Sequence, residues 1–211
     1  MLFVKTPQFL KKIIPSVTWD IPTTEKVVYL TFDDGPTPEI TEWVLDQLAL
    51  FNAKATFFCI GKNIDANPKI FRKILSEGHS VGNHTYNHMN AWKTNKRIYL
   101  ENSFKTENSI LKLHPHFKSK KLFRPPYGKF TPSILKRLRK ENYQVVGWDI
   151  ITEDYDKNRT PSKVLLNVTK NITPGSIIVF HDSVKAFKNL EEVLPKTLTF
   201  LEKEGYVMKS I

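Results

Sequence analysis

Short runs rich in β-branched and aromatic residues alternate with longer segments of helical period, and this alternation restricts the fold more than any other feature of the chain. Val27–Phe32, Ala55–Ile60, Ser80–Gly82, Leu122–Arg124, Gln144–Trp148, Ser176–Phe180 and Tyr206–Lys209 read as strands. Glu39–Phe51, Pro68–Ser76, Lys96–Lys112, Pro132–Glu141, Pro161–Asn171 and Leu190–Glu204 read as helices. Thr131 before Pro132 and Thr160 before Pro161 are cap-then-proline starts, and Gly78 and Gly205 fall just after helices. This order predicts a parallel sheet with crossover helices. The 211 residues are few for an eight-unit barrel, which typically needs about 250. The expected architecture is therefore α/β, an irregular (β/α)7 barrel, a distorted TIM-like barrel.

With 40% hydrophobic and 25% charged residues, one core can serve the whole molecule. Residues 1–211 are expected to form a single domain, with 1–24 as an N-terminal extension packed on it. Cys59 is the only cysteine, which excludes an intramolecular disulfide and a cysteine metal cluster. Lysines at 5, 11 and 12 and prolines at 7 and 15 interrupt the N-terminal apolar stretches, so neither a signal peptide nor a membrane span is read there. That reading favours a cytoplasmic location and leaves the cell envelope open. Phe9, Leu10, Ile13 and Ile14 fit one side of a short helix lying on its own domain, or one touching a membrane surface. The formal charge is +11, with basic residues concentrated between Lys112 and Lys140. Such a segment suits acidic partners or a solvated helix face; no nucleic-acid motif accompanies it, so no nucleic-acid partner is expected.

In a barrel or an open parallel sheet, chemistry collects where strands run into loops. The first strand runs directly into Asp33-Asp34-Gly35-Pro36. Two adjacent carboxylates at the end of a buried strand repel and are costly to desolvate unless a cation or hydrogen-bond donors hold them. Alone, this is also the sequence of a loop with a capping aspartate. After the third strand comes His84-Thr85-Tyr86-Asn87-His88, whose four-residue separation would put both imidazoles on one side of a helical turn. Two histidines and a carboxylate make an open three-ligand metal site. Arg124 follows the fourth strand, Asp149 to Asp154 the fifth and His181-Asp182 the sixth. Each has an ordinary structural reading by itself; their shared placement at strand ends points to one common mouth.

These motifs, in this order from about Val27 to the C-terminus, closely resemble the polysaccharide deacetylase family, also called carbohydrate esterase family 4 or the NodB homology domain. The resemblance of Thr31-Phe32-Asp33-Asp34-Gly35 to the first motif implies Asp33 as general base and Asp34 as metal ligand. His84 to His88 is similar to the second motif and implies both histidines as metal ligands. Arg124-Pro125-Pro126-Tyr127-Gly128 resembles the third, implying that Arg124 holds the base and that Tyr127 binds substrate and stabilises the oxyanion through its backbone N–H. Ile178-Val179-Phe180-His181 resembles the fifth, implying His181 as general acid and Ile178 as a wall of the acetyl pocket. The fourth motif, usually Asp-x-x-Asp-Trp, reads Ile151-Thr152-Glu153-Asp154-Tyr155 here. It keeps Asp154, implied to tune His181, and puts Tyr155 in the substrate groove.

The resemblance implies a divalent metal, zinc first with cobalt or nickel as alternatives, and no organic cofactor. The implied substrate is an acetylated glycan: N-acetylglucosamine-containing polysaccharide, as in peptidoglycan or chitin-like oligomers. The alternatives are an O-acetyl esterase such as an acetylxylan esterase, a non-catalytic glycan-binding domain, or a basic surface-interaction protein. The oligomeric state is not legible.

Overall fold

The computed structural model describes residues 3–211. Its elements in chain order are α1 (Gln8–Ile13), β1 (Val27–Asp33), α2 (Ile40–Leu50), β2 (Thr56–Cys59), α3 (Gly61–Ala66), α4 (Pro68–Ser76), β3 (Ser80–Asn83), α5 (Lys96–Leu113), β4 (Lys121–Phe123), α6 (Pro132–Lys140), β5 (Tyr143–Val145), β6 (Ile150–Ile151), α7 (Pro161–Thr169), β7 (Ile177–His181), α8 (Val184–Lys203) and β8 (Val207–Lys209). The strands run β5-β4-β3-β2-β1-β7-β6 across one curled sheet, and β8 pairs with the first half of β1. Every strand pairing is parallel. This is the distorted α/β barrel that the alternation of elements predicts.

Register explains why the polar strand-end residues meet. Asp33 is level with His181 of β7, Asn83 of β3 is level with Phe123 of β4, and His84 and Arg124 follow these last two directly. Side chains alternate between the two faces of a strand. In β1 and β7, Leu30, Phe32, Ile178 and Phe180 enter the main core beneath the helices. Thr31, Asp33, Val179 and His181 take the opposite parity. The small apolar cluster of Trp148, Ile151 and Val179, with Tyr155 against it, belongs to that second face.

The sheet does not close on itself, because no ladder joins β5 to β6. Residues 4 to 20 fill the gap. Lys5 bridges to Ile150 and Thr18 to Val146; Ile151 N donates to Val4 O at 2.9 Å, and Gly147 N donates to Thr18 O at 2.8 Å. Lys11 pairs with Asp20 and, at 2.6 Å, with Asp149; Lys5 reaches the other oxygen of Asp149 at 3.4 Å. The N-terminal segment thus completes the wall.

The anticipated strand at Gln144–Trp148 stops at Val145, and a separate β6 follows it. Gly147 lies between them, packed so closely on Trp19 that a Cβ would come within 2.4 Å of the indole. Helix α3 was not anticipated; it is only six residues long and polar. Helix α8 begins at Val184, six residues before the expected Leu190. Its buried stripe starts with Ala186 and Asn189, and lysines 185 and 188 dilute the apolar signal there. The expected helical turn between His84 and His88 is an irregular loop, with positive φ at Thr85 and His88. Among the described residues no helix is long and apolar enough to cross a membrane.

Candidate active site

Five of the chain's left-handed non-glycine residues, Asp34 (φ 87°), Thr85 (61°), His88 (53°), Tyr127 (60°) and Glu153 (63°), lie in the loops that leave strand ends at one rim. Such backbone is strained for L-residues and persists where surrounding contacts over-determine it. Here those contacts are visible. Asp182 is fully buried, accepts from Gly35 N at 3.0 Å and from the Thr41 hydroxyl at 2.5 Å, and so clamps the turn after the two aspartates. A Cβ on Gly35 would fall 1.9 Å from the Asp182 carboxylate, so only glycine allows that approach. Burial drives the Asp182 pKa up to about 8, against the stabilising hydrogen bonds from Thr41 and Gly35.

The rim encloses a cavity of about 520 Å³ whose lining includes Asp33, Asp34, His84, His88, Tyr127, Tyr155 and His181. Asp33, 4% exposed, receives Arg124 Nη1 at 2.8 Å. Arg124 is wholly buried, donates also to the Thr31 hydroxyl (2.7 Å) and the Gly147 carbonyl (2.8 Å), and stacks over Phe58. Burial alone would raise the Asp33 pKa; the charges of Arg124, His84 and His181, with the Arg124 hydrogen bond, outweigh it and hold the carboxyl below its ordinary value. Asp33 is therefore a buried but ionised carboxylate.

Across the cavity, His181 Nδ1 lies 2.8 Å from Asp154 Oδ1, and the His181 backbone N–H donates to Asp154 Oδ2 at 2.8 Å. Burial by itself lowers the His181 pKa, yet the charge of Asp154 and its hydrogen bond reverse this and push it up to about 9. Asp154 is fully buried and its carbonyl accepts from Asn189 Nδ2 at 2.9 Å. A carboxylate kept ionised and an imidazole kept protonated therefore face one space, their opposite states set by environment.

Between them, Asp34, His84 and His88 each present one donor atom, all within 4.8 Å of one another. The Nε2 atoms of His84 and His88 lie 3.8 and 3.3 Å from Asp34 Oδ1. His84 Nδ1 is 2.7 Å from the Arg124 carbonyl, an acceptor only, so Nδ1 carries the hydrogen and a neutral ring leaves its lone pair on Nε2. His88 Nδ1 is 3.1 Å from the Tyr127 hydroxyl. Burial, outweighing the pull of Asp33 and Asp34, lowers the His84 pKa, and burial with the nearby His84 takes His88 down to about 4. Both rings are thus neutral at pH 7. Asp34 Oδ1 is buried and has no hydrogen-bond partner. An uncompensated buried carboxylate oxygen is costly, and a divalent cation bound by two neutral imidazoles and this oxygen removes the cost. The donor set fits a metal.

Tyr155 lines the cavity and meets His181 edge-on, ring centroids 4.9 Å apart. Ile178 does not line it. Strand parity sends Ile178 into the main core and gives the cavity wall to Val179, two residues before His181. Asp149, grouped with Asp154 by sequence, faces the N-terminal segment instead and is held by Lys5, Lys11 and the Ser176 hydroxyl. Sequence reasoning also passed over Trp148, Ile151, Asn90, Lys129 and Lys185 in the cavity lining. Period-two counting back from His181 would have found Val179; nothing local marks the others.

The sequence profile of polysaccharide deacetylases matches residues 20–146. A peptidoglycan-N-acetylglucosamine deacetylase of Bacillus cereus is 37% identical over 195 residues, spanning 90% of this chain and 88% of that protein. A chitooligosaccharide deacetylase of Azorhizobium caulinodans is 33% identical, spanning 74% of this chain and 73% of its own. Among solved structures, a peptidoglycan N-acetylglucosamine deacetylase in complex with a naphthalenyl N-hydroxybenzamide superposes with a TM-score of 0.88 at 33% identity, over 96% of this chain and 94% of the other. With its profile match, these relatives and the shared fold, the chain belongs to the polysaccharide deacetylase family, carbohydrate esterase family 4.

Proposed function

We propose that the chain hydrolyses the N-acetyl groups of N-acetylglucosamine-containing polysaccharide, using a zinc ion held by Asp34, His84 and His88. The observation that carries this reading is the opposed pair of Asp33 and His181 lining the same cavity as those three donors. An acetamide is resonance-stabilised and leaves as a poor amine, so its hydrolysis needs an activated water, a stabilised oxyanion and a proton donor. Bound at the triad, the ion would supply Lewis acidity towards the acetyl oxygen and would lower the pKa of a water to roughly 7.

The chain's own residues do the rest. Asp33, held ionised by Arg124, takes the proton of the attacking water. The Tyr127 backbone N–H assists the oxyanion, a contribution of about 3 kcal/mol for such a donor. His181 gives its proton to the departing nitrogen, and Asp154 fixes the ring so that Nε2 is the atom that faces substrate. Trp148, Ile151 and Val179 form an apolar wall suited to the acetyl methyl. An imidazole kept protonated by Asp154 suits the basic amine leaving group of an amide. Peptidoglycan and chitin-like oligomers are the leading substrates by kinship with the relatives above. Acetate release from N-acetylglucosamine oligomers, peptidoglycan and acetylated xylan, with and without zinc or cobalt, tests this. Release from the N-acetylated glycans that depends on added metal supports the reading, and release confined to xylan replaces it with the esterase alternative.

A further inference from the structure

Two cations at the mouth have no part in the chemistry above. Lys129 follows Tyr127 in the loop after β4, and Lys185 lies in the first turn of α8, just after His181; both line the catalytic cavity. In the strand order β4 and β7 stand on opposite sides of β1, whose end carries Asp33 and Asp34. The two ammonium groups therefore flank the reacting centre. Each is held over an aromatic ring: Lys129 Nζ lies 3.9 Å from the ring centroid of Trp92, and Lys185 Nζ lies 5.2 Å from that of Tyr155. Trp92 is itself fixed, its indole N–H donating to the Phe130 carbonyl at 2.8 Å.

Neither lysine makes an ion pair or a hydrogen bond among the described residues, whereas Lys5, Lys11, Lys26, Lys54, Lys73, Lys121 and Lys196 do. The acidic groups deeper in the cavity already have their partners: Asp33 has Arg124, Asp154 has His181, and Asp34 belongs to the metal triad. Two fixed, uncompensated positive charges at the rim of a cleft focus the potential on whatever enters it. A neutral sugar, recognised through hydroxyls and ring faces, gains nothing from them. A glycan whose sugars on both sides of the cleaved acetamide bear carboxylates gains a pairing at each end.

We propose that Lys129 and Lys185 select an acidic glycan, one with carboxylates on the sugars either side of the residue being deacetylated. This deepens the proposed function and rests on it.

The test compares kcat/KM of the zinc-loaded protein for two oligomers that differ in one respect, free carboxylates on the neighbouring sugars or the same groups converted to amides. The native chain is expected to favour the acidic oligomer by about 10-fold at low salt, the scale of two partly exposed charge contacts, and to lose that preference as salt rises. In Lys129→Met with Lys185→Met the ratio should fall to about 1, because methionine keeps the stem packing on the rings and removes only the charge. Lys163→Met, which removes an exposed charge on α7 away from the cavity, should keep the native ratio. A native ratio near 1, or a double variant within about twofold of the native preference, overturns the proposal while leaving the deacetylase reading intact. Absence of acetate release from both oligomers overturns the deacetylase reading, and this proposal with it.

Discussion

Two carboxylates beside the same sheet, the buried Asp149 and the half-buried Asp34, have opposite fates. Asp149 sits where residues 4 to 20 complete the wall, and both its oxygens are satisfied: one by Lys11 at 2.6 Å, the other by the Ser176 hydroxyl at 2.6 Å with Lys5 beyond. Asp34 sits at the end of β1, where Oδ1 is buried and accepts nothing, with two imidazole Nε2 atoms within 4 Å of it. A buried charge that the chain satisfies by itself holds structure together; one left open beside two lone pairs is arranged for a ligand. The same contrast separates Arg124, whose three hydrogen bonds tie it to Thr31, Asp33 and Gly147, from Lys129 and Lys185, whose ammonium groups sit over aromatic rings with no ion-pair partner among the described residues.

If that contrast is right, damage at the mouth and damage at the wall separate into different observables. His84→Ala should have the largest effect. It removes a metal donor, so tight metal binding disappears and activity falls by about 10³-fold or more, the equivalent of several kcal/mol of lost charge stabilisation. Metal content by elemental analysis checks it, and full stoichiometry in the variant would break the assignment.

Asp33→Asn should come next, lowering kcat by about 10²- to 10⁴-fold because an amide is no base, while metal content is kept. Arg124 then loses its buried counter-charge, so a lower Tm is expected in the same variant. Near-native turnover would show that the adjacent aspartates do not divide the roles of base and ligand.

Asp149→Ala belongs to the other region. It strips one of two carboxylate partners from a Lys11 side chain that is 9% exposed and leaves Asp20 as the other, so the loss is that of a hydrogen bond to a charged group, about 1.5–3 kcal/mol. Denaturant unfolding should show that loss while kcat/KM of the folded fraction is kept. A selective loss of activity with unchanged stability would erase the distinction between wall and mouth.

Asp154→Asn should act through pH. The His181 pKa is raised in the native chain, so its protonated form persists as pH rises and is lost only near about 9. Without the Asp154 charge, burial pulls that pKa down, and the alkaline limb of the kcat profile should move to lower pH by about one unit or more. An unmoved limb would mean that another group sets it.

Tyr155→Trp should have the smallest effect. Tyr155 touches the acid from the side and lines the cavity, so relative kcat/KM among acetylated glycans should change by about 10-fold or less, with metal content unaltered. An unchanged selectivity profile would remove Tyr155 from the substrate groove.

The mouth was largely legible in the sequence because its residues sit at strand ends, where a polar group following an apolar run stands out. Asp33, Asp34, Arg124 and His181 all stand directly at strand ends, and parallel register brings them together. The wall was not legible. Asp149 looks the same in sequence as Asp154, five residues on, and only the path of residues 4 to 20 separates the two. Ile178 was misplaced by one step of strand parity, an error that resemblance allows and period-two alternation forbids. The His84 to His88 spacing suggested a helical turn where a strained loop does the same work, since residues four apart also converge through left-handed backbone at Thr85 and His88. Rim residues such as Asn90, Lys129 and Lys185 carry no local signal, because their position depends on which loops face one another.

The most direct test of the account is a zinc titration of the metal-stripped protein, following acetate release from an N-acetylglucosamine oligomer alongside bound zinc. The account predicts that activity rises with bound metal and saturates at about one ion per chain, as expected for a single three-ligand open site. Full acetate release from the metal-stripped protein, or saturation with zinc that brings no release, would contradict it.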